Sequence, residues 1–287
     1  MRQKTVSLDL SERLREKVRS FFGFEGGSES IVSADRFSNM EKIGDGRMST
    51  VYRAIDNETR SDVAIKVSHE REAARMAIRN EIPILKNLAH PNIVAFKSSG
   101  VLSGGVHDGM LFLATELLRG EDLEVHIERT GKQDWKDVKP VLLGICRALE
   151  AVHSSGLVHR DLTPGNVFLS QDGVKLIDFG VAVKRRWLLP DTKFAPGNPI
   201  YAAPEAFLMH ADPLSDIYSA GMVMYHMLSG GVPSDKAMLE MKMGYGQVDL
   251  ADLPPGPAAI IKRALERDPD DRFQSASTMR HAIEAVW

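Results

Sequence analysis

The chain has 287 residues, 43% of them hydrophobic and 26% charged, with a formal net charge of -3. These values suit one large or two small globular domains and argue against a global basic field for nucleic acid. The single cysteine, Cys146, rules out an intramolecular disulfide and points to a reducing, cytoplasmic setting.

Residues 1–33 read as an appendage. "LDLSERLREKVRSFFGF" spaces Leu10, Leu14, Val18, Phe21 and Phe22 as one helical face, and "GFEGGSES" follows as a linker. The stripe could dock on its own chain, engage a partner or lie on a membrane surface. This N-terminus has no apolar core of the kind a signal peptide carries. Residues 34–118 change to short β-rich runs. "NMEKIGDGRMSTVYRAID" and "SDVAIKVSH" suggest hairpin strands, "EREAARMAIRNEIPILKNL" a helix that holds Pro83 in its interior, and "NIVAFKSSGVLSGGVHDGMLFLATELL" two more strands. Residues 119–287 are mostly helical, with "VKPVLLGICRALEAVHSSG", "SDIYSAGMVMYHMLSGG" and "PAAIIKRALERDP" as the clearest segments. The second of these falls short of the roughly 20 apolar residues that span a bilayer. The expected fold is α+β: a small β-rich lobe, a larger helical lobe and a ligand cleft between them.

Four short stretches carry chemistry. In "IGDGRMSTV", Gly44 and Gly46 allow backbone N–H groups to approach phosphate, although two glycines in a turn are common. In "VAIK", Lys66 among apolar residues needs an anion, with Glu81 a candidate; otherwise it snorkels from a sheet edge. In "GLVHRDLTPGNVFLS", Asp161 can take a proton from an attacking hydroxyl and Asn166 can offer a carbonyl oxygen to a metal. In "KLIDFGVA", Asp178 ends an apolar run with a carboxylate suited to Mg²⁺. The nine histidines show no paired zinc spacing.

In this order, and with Ala203-Pro204-Glu205 following, these stretches resemble the protein-kinase signature set, over about residues 37–287. The chain is most similar to eukaryotic-type serine/threonine protein kinases, which also occur in bacteria and phages. The resemblance implies a two-lobed fold, ATP and Mg²⁺ as cofactors, and a protein substrate. It places Ile43, Gly44, Gly46, Ser49, Val51, Ala64 and Phe168 around the nucleotide. Thr115, Glu116 and Leu118 fall at the hinge, Asp122 at the ribose, and Lys66 on the phosphates with Glu81 as its partner. Asp161 becomes the catalytic acid, and Asn166 and Asp178 the metal ligands. Leu85, His159 and Phe179 would stack as a spine, Glu205 and Arg272 would form a structural ion pair, and Asp216 would brace the catalytic loop.

The chain departs from this pattern in several places. Thr163 stands where the family usually has lysine, and Asn198 where it usually has threonine. An exchanged pair is expected, with the Asn198 amide and the Thr163 hydroxyl together positioning Asp161. Thr192, Asp191 or Phe194 is the expected anchor of the activation loop, with Arg160 a partner for an anion there, and Trp187 is expected to pack. Pro83 is expected to bend the helix that carries Glu81, and the N-terminal helix could hold that helix inward. A nucleotide-binding pseudokinase and a small-molecule kinase remain as alternatives.

Overall fold

The computed structural model describes residues 29–184, 198–208 and 212–287. Its first part is a six-stranded sheet: β1 (Ile31–Ser33), β2 (Phe37–Asp45), β3 (Ser49–Asp56), β4 (Ser61–Ser68), β5 (Phe96–Ser103) and β6 (Leu111–Glu116), in the order β1-β5-β6-β4-β3-β2. β4 shows how the sequence sets the two faces. Val63, Ile65 and Val67 are buried in an apolar layer with Phe37, Ala54, Leu102, Phe112 and Ala114, while Ala64 and Lys66 point the other way. All pairings are antiparallel except β1 with β5, which is parallel. A Cβ on Gly100 of β5 would lie 2.4 Å from the Ser30 carbonyl, so glycine permits this close approach. The sheet therefore begins upstream of residue 34, inside the stretch read from sequence as linker.

Helix α1 (Glu72–Asn87) packs beneath the sheet and buries Ala74, Ile78, Ile84 and Leu85. It runs as one helix with Pro83 in its interior, where the N–H that would bond the Arg79 carbonyl one turn back is missing. The second part contains α2 (Leu123–Thr130), α3 (Trp135–Ser154), α4 (Pro213–Ser229), α5 (Asp235–Met243), α6 (Pro255–Ala264) and α7 (Ala276–Ala285). α4 is the core helix, apolar and buried on nearly every face. It is capped by Asp212 at its start and by Gly230, in a left-handed conformation, at its end. α3 packs between α4 and α7.

Short strands line the junction of the two parts. β7 (Gly120–Asp122), β9 (Val167–Ser170) and β10 (Gly173–Leu176) form one small sheet, and β8 (Leu157–Val158) pairs with β11 (Val183–Lys184). An isolated bridge from Ile93 to Leu176 joins the connection after α1 to β10. One continuous apolar core runs from Ile78 and Leu85 of α1 through Phe179 into α3 and α4. Among the described residues no helix is long and apolar enough to cross a membrane.

Candidate active site

Lys66 rises from β4 opposite Val51 of β3 and Leu113 of β6. Its Nζ donates to Glu81 Oε2 at 2.8 Å and lies 2.9 Å from Asp178 Oδ1. Burial disfavours the ammonium, but the two carboxylates outweigh that effect and hold the lysine pKa above its ordinary value. Burial pushes the Glu81 carboxyl up, opposed by Lys66. Asp178 shifts the other way: burial opposes its charge, and Lys66 with the Gly180 N–H more than offsets it. Asp178 sits in the left-handed region at φ 60°, a costly conformation for a non-glycine residue. The contacts from Lys66 and from the Gly180 N–H hold it there.

The catalytic-loop stretch follows β8. Asp216, fully buried on α4, accepts the backbone N–H of His159 and that of Arg160, each at 2.9 Å, and also His153 Nε2 at 2.8 Å. These bonds fix Arg160 at φ 69° and so set the direction in which the chain delivers Asp161. His159 packs edge-on against Phe179, with ring centroids 4.8 Å apart. Leu85, His159 and Phe179 are all buried, as the spine requires.

Both Asp161 oxygens are engaged. Asn166 Nδ2 donates to Oδ2 at 3.0 Å, and the Asn198 backbone N–H donates to Oδ1 at 3.3 Å. Burial, helped by the Asp178 charge, raises the Asp161 pKa above its ordinary value. Asn166 Nδ2 also donates to the Asp161 carbonyl at 2.8 Å. Its two amide protons are thereby used, leaving the side-chain oxygen as the group it can offer to a cation. One ionised carboxylate and one amide oxygen form a sparse, all-oxygen donor set. That set suits Mg²⁺, which keeps several waters and binds phosphate oxygens as well.

The expected exchange between Thr163 and Asn198 is not what the geometry gives. Asn198 reaches Asp161 through its backbone, while its side-chain oxygen accepts the Ile200 N–H at 3.0 Å and closes a local turn. Thr163 precedes the 3-10 turn Pro164–Asn166, and its carbonyl accepts the Asn166 N–H at 3.0 Å. Its hydroxyl makes no hydrogen bond to Asp161.

The remaining sequence candidates surround the same opening. Gly44 and Ile43 lie in β2, and Gly46 begins the β2–β3 turn, its N–H donating to the Ser49 carbonyl at 2.9 Å. Ser49 and Val51 share one face of β3, and Ala64 lies opposite Thr115. The Glu116 carboxylate accepts Lys175 Nζ and the Ala95 N–H, both at 2.8 Å, so this side chain braces the hinge from behind. Its backbone carbonyl accepts Thr115 Oγ1 at 3.3 Å. Leu118 packs on the main core just beyond. Asp122 caps α2 by accepting the Val125 N–H at 2.9 Å, and it pairs in register with Phe168 on β9. Lys175 was missed in the sequence. Its partner Glu116 lies on another strand, and no short-range signal links the two.

Other expected features lie further out. Arg272, fully buried, grips Glu205 with two bonds, at 2.7 and 2.9 Å, and spends its remaining donors on the Glu266, Arg267 and Leu214 carbonyls. Cys146 is buried in α3, and burial pushes its thiol up to about 12, which leaves it un-ionised. The expected N-terminal helix and Trp187, Asp191, Thr192 and Phe194 lie outside the described residues.

The protein kinase domain family matches residues 37–283. The chain belongs to that family. It is 32% identical over 269 residues to the serine/threonine-protein kinase PknA of Mycobacterium tuberculosis, covering 89% of this chain and 62% of PknA. It is 30% identical over 264 residues to the serine/threonine-protein kinase PknK of Mycobacterium bovis, covering 87% of this chain and 23% of PknK. The chain thus spans less than two thirds of the length of these relatives.

Proposed function

We propose that this chain is a protein kinase that transfers the γ-phosphoryl group of ATP to serine or threonine hydroxyls of a protein substrate. The observation that carries the reading is the linked set Lys66–Glu81–Asp178, which stands beside an Asp161 held by Asn166. Glycine-rich backbone, a paired lysine, two carboxylates and an amide serve phosphoryl transfer, in which positioning and charge neutralisation do most of the work.

The roles proposed for each residue follow the family resemblance, and the contacts described above support those of Lys66, Asp161, Asn166 and Asp178. Gly44, Gly46 and Ser49 cover the phosphates, and Lys66, kept charged by its two acids, holds the α/β-phosphates. Val51, Ala64, Ile43 and Phe168 enclose the adenine against the hinge backbone at Glu116–Leu118, and Asp122 offers its second carboxylate oxygen to the ribose. Asp178 and Asn166 would hold Mg²⁺, which would supply charge neutralisation at the phosphates when bound. Asp161 orients the substrate hydroxyl. As the hydroxyl oxygen bonds to the γ-phosphorus, the bond from that phosphorus to the β-bridging oxygen breaks. The proton passes to Asp161, and ADP leaves with the negative charge. The serine/threonine preference is supported by the similarity to the serine/threonine-protein kinases PknA and PknK, and the cytoplasmic setting by the cysteine usage.

The test is transfer of labelled γ-phosphate to a generic protein substrate, followed by phosphoamino-acid analysis. Wild type is expected to give phosphoserine and phosphothreonine, and Asp161→Asn to lose at least about a hundredfold in rate. A wild type that binds nucleotide but transfers no more phosphate than Asp161→Asn would make the chain a pseudokinase scaffold. Label on a small molecule and none on protein would make it a small-molecule kinase.

A further inference from the structure

Three consecutive residues of α1 reach three different parts of the molecule. Arg79 meets Glu29, just ahead of β1, at 2.6 Å, and Glu81 takes Lys66 and the Phe179 N–H, the latter at 3.1 Å. Between them stands Asn80, a polar side chain only 7% exposed. Its Nδ2 faces three backbone carbonyls: Ala182 at 2.8 Å, Gly180 at 3.1 Å and Phe179 at 3.4 Å. Three acceptors around one atom admit only the NH₂ end of the amide there, so the side chain acts as a donor. Successive helical residues project about 100° apart, so Asn80 and Glu81 take the segment after Asp178 from two sides. Glu81 accepts an N–H from it, and Asn80 satisfies its carbonyls.

The packing explains why the segment comes so close. A Cβ on Gly180 would lie 3.4 Å from Ala77 Cβ and 3.1 Å from Asp178 Oδ1. Small residues on both sides bring this turn against α1. Without Asn80 the Gly180 and Ala182 carbonyls would lose this donor, a costly change at a buried or half-buried site. The Ala182 N–H returns to the Phe179 carbonyl at 3.1 Å, which closes the turn that Asn80 caps.

The geometry points to Asn80 as a positioning residue for phosphoryl transfer: it pins the Phe179–Ala182 turn to α1 and thereby holds Asp178 in its left-handed, metal-facing conformation. The inference rests on the kinase reading of the site. Asn80 touches neither substrate nor nucleotide and acts through Asp178. Nothing in the short motifs marks it, because its partners lie about a hundred residues downstream.

The test uses Asn80→Asp, which keeps the shape and removes the donors, and Asn80→Ala, which keeps the helix and removes the side chain. The first readout is hydrogen exchange of the nucleotide-free protein. Exchange over residues 178–184 is expected to quicken about tenfold or more in both variants, while β4 and α3 keep wild-type protection. The second is kinetic: the Mg²⁺ concentration for half-maximal rate is expected to rise several-fold and kcat to fall, with KM for the protein substrate unchanged. Unchanged exchange over 178–184, or exchange quickened equally across the whole chain, would overturn the inference. So would a loss of kcat at an unaltered Mg²⁺ requirement. The exchange readout stands without activity, so an inactive wild type would count against the kinase reading and leave this test intact.

Discussion

Replacing Asp216 by asparagine preserves its outline and turns one acceptor into a donor. That change would set an NH₂ against the backbone N–H groups of His159 and Arg160 or against His153, where a fully buried carboxylate now accepts all three. The expected cost is about 3–5 kcal/mol, the range for removing one member of a buried charged network, measurable by urea unfolding. The acid dependence has a definite sign. Burial opposes the Asp216 charge, but His153 and the loop N–H groups outweigh it and hold the folded-state pKa below the ordinary 3.8. Its contribution is therefore complete above about pH 4 and is lost as pH falls through that lower value. The Asp216→Asn variant should lack this acid-sensitive component. At Thr163 and Asn198 small, independent effects on activity are expected, since neither side chain bonds Asp161. A double-mutant cycle with Thr163→Ala and Asn198→Ala should add within about 0.5 kcal/mol. A larger interaction energy would restore the exchanged pair.

At the scale of elements, α5 and the segment after Asn198 form a unit through Lys242. Its Nζ donates to the Ala202 carbonyl at 2.7 Å and to the Pro199 carbonyl, and it lies 4.7 Å from the centre of the Phe207 ring. This segment leads into Ala203-Pro204-Glu205, and we propose that it docks the protein substrate. Lys242→Met is expected to raise KM for the protein substrate about threefold to tenfold and to leave KM for ATP unchanged, as steady-state kinetics would show. Burial draws the Lys242 pKa down to about 8 from 10.5. The unfolded chain therefore binds more protons between those two values, and the cost of keeping this ammonium folded fades as pH rises across the window. KM for the protein substrate should climb as pH rises through about 8 in wild type and stay flat in Lys242→Met.

The elements also show what could be read in advance. α1, α3, α4 and α6 were visible because each carries a long apolar face or an apolar body. α2 and α5 were not, since each buries only two residues: Leu123 and Ile127 in one, Met238 and Met241 in the other. β8 and β11 have two residues each and pair across the whole catalytic loop, so no local periodicity could reveal them. The site divides in the same way. Lys66, Asp161, Asn166 and Asp178 stand in short ordered motifs, whereas Lys175, Asn80 and Lys242 act through partners distant in sequence. Thr163 and Asn198 were misjudged because spacing identifies a position but not which atoms of a residue make the contact.

Over the whole molecule, the two lobes meet through a continuous apolar core and a set of specific polar links. Lys66 and Glu81 come from the first lobe, and Asp178 and Phe179 from the second. Lys175 ties β10 to the hinge at Glu116, and Ile93 bridges to Leu176. Cutting the Lys66–Glu81 pair with Glu81→Gln should therefore leave each lobe folded. It should lower kcat by about ten- to a hundredfold, because Lys66 would then lean on Asp178 alone. Circular dichroism would report the fold and phosphate transfer the loss.

The most direct measurement is calorimetric titration of the intact chain with a non-hydrolysable ATP analogue, with and without Mg²⁺. One molecule of analogue per chain is predicted, bound more tightly with Mg²⁺. Asp178→Ala should abolish the gain from the cation, and Lys66→Met should weaken binding in both conditions. Absence of binding, or binding indifferent to Mg²⁺ and to both substitutions, would contradict the account.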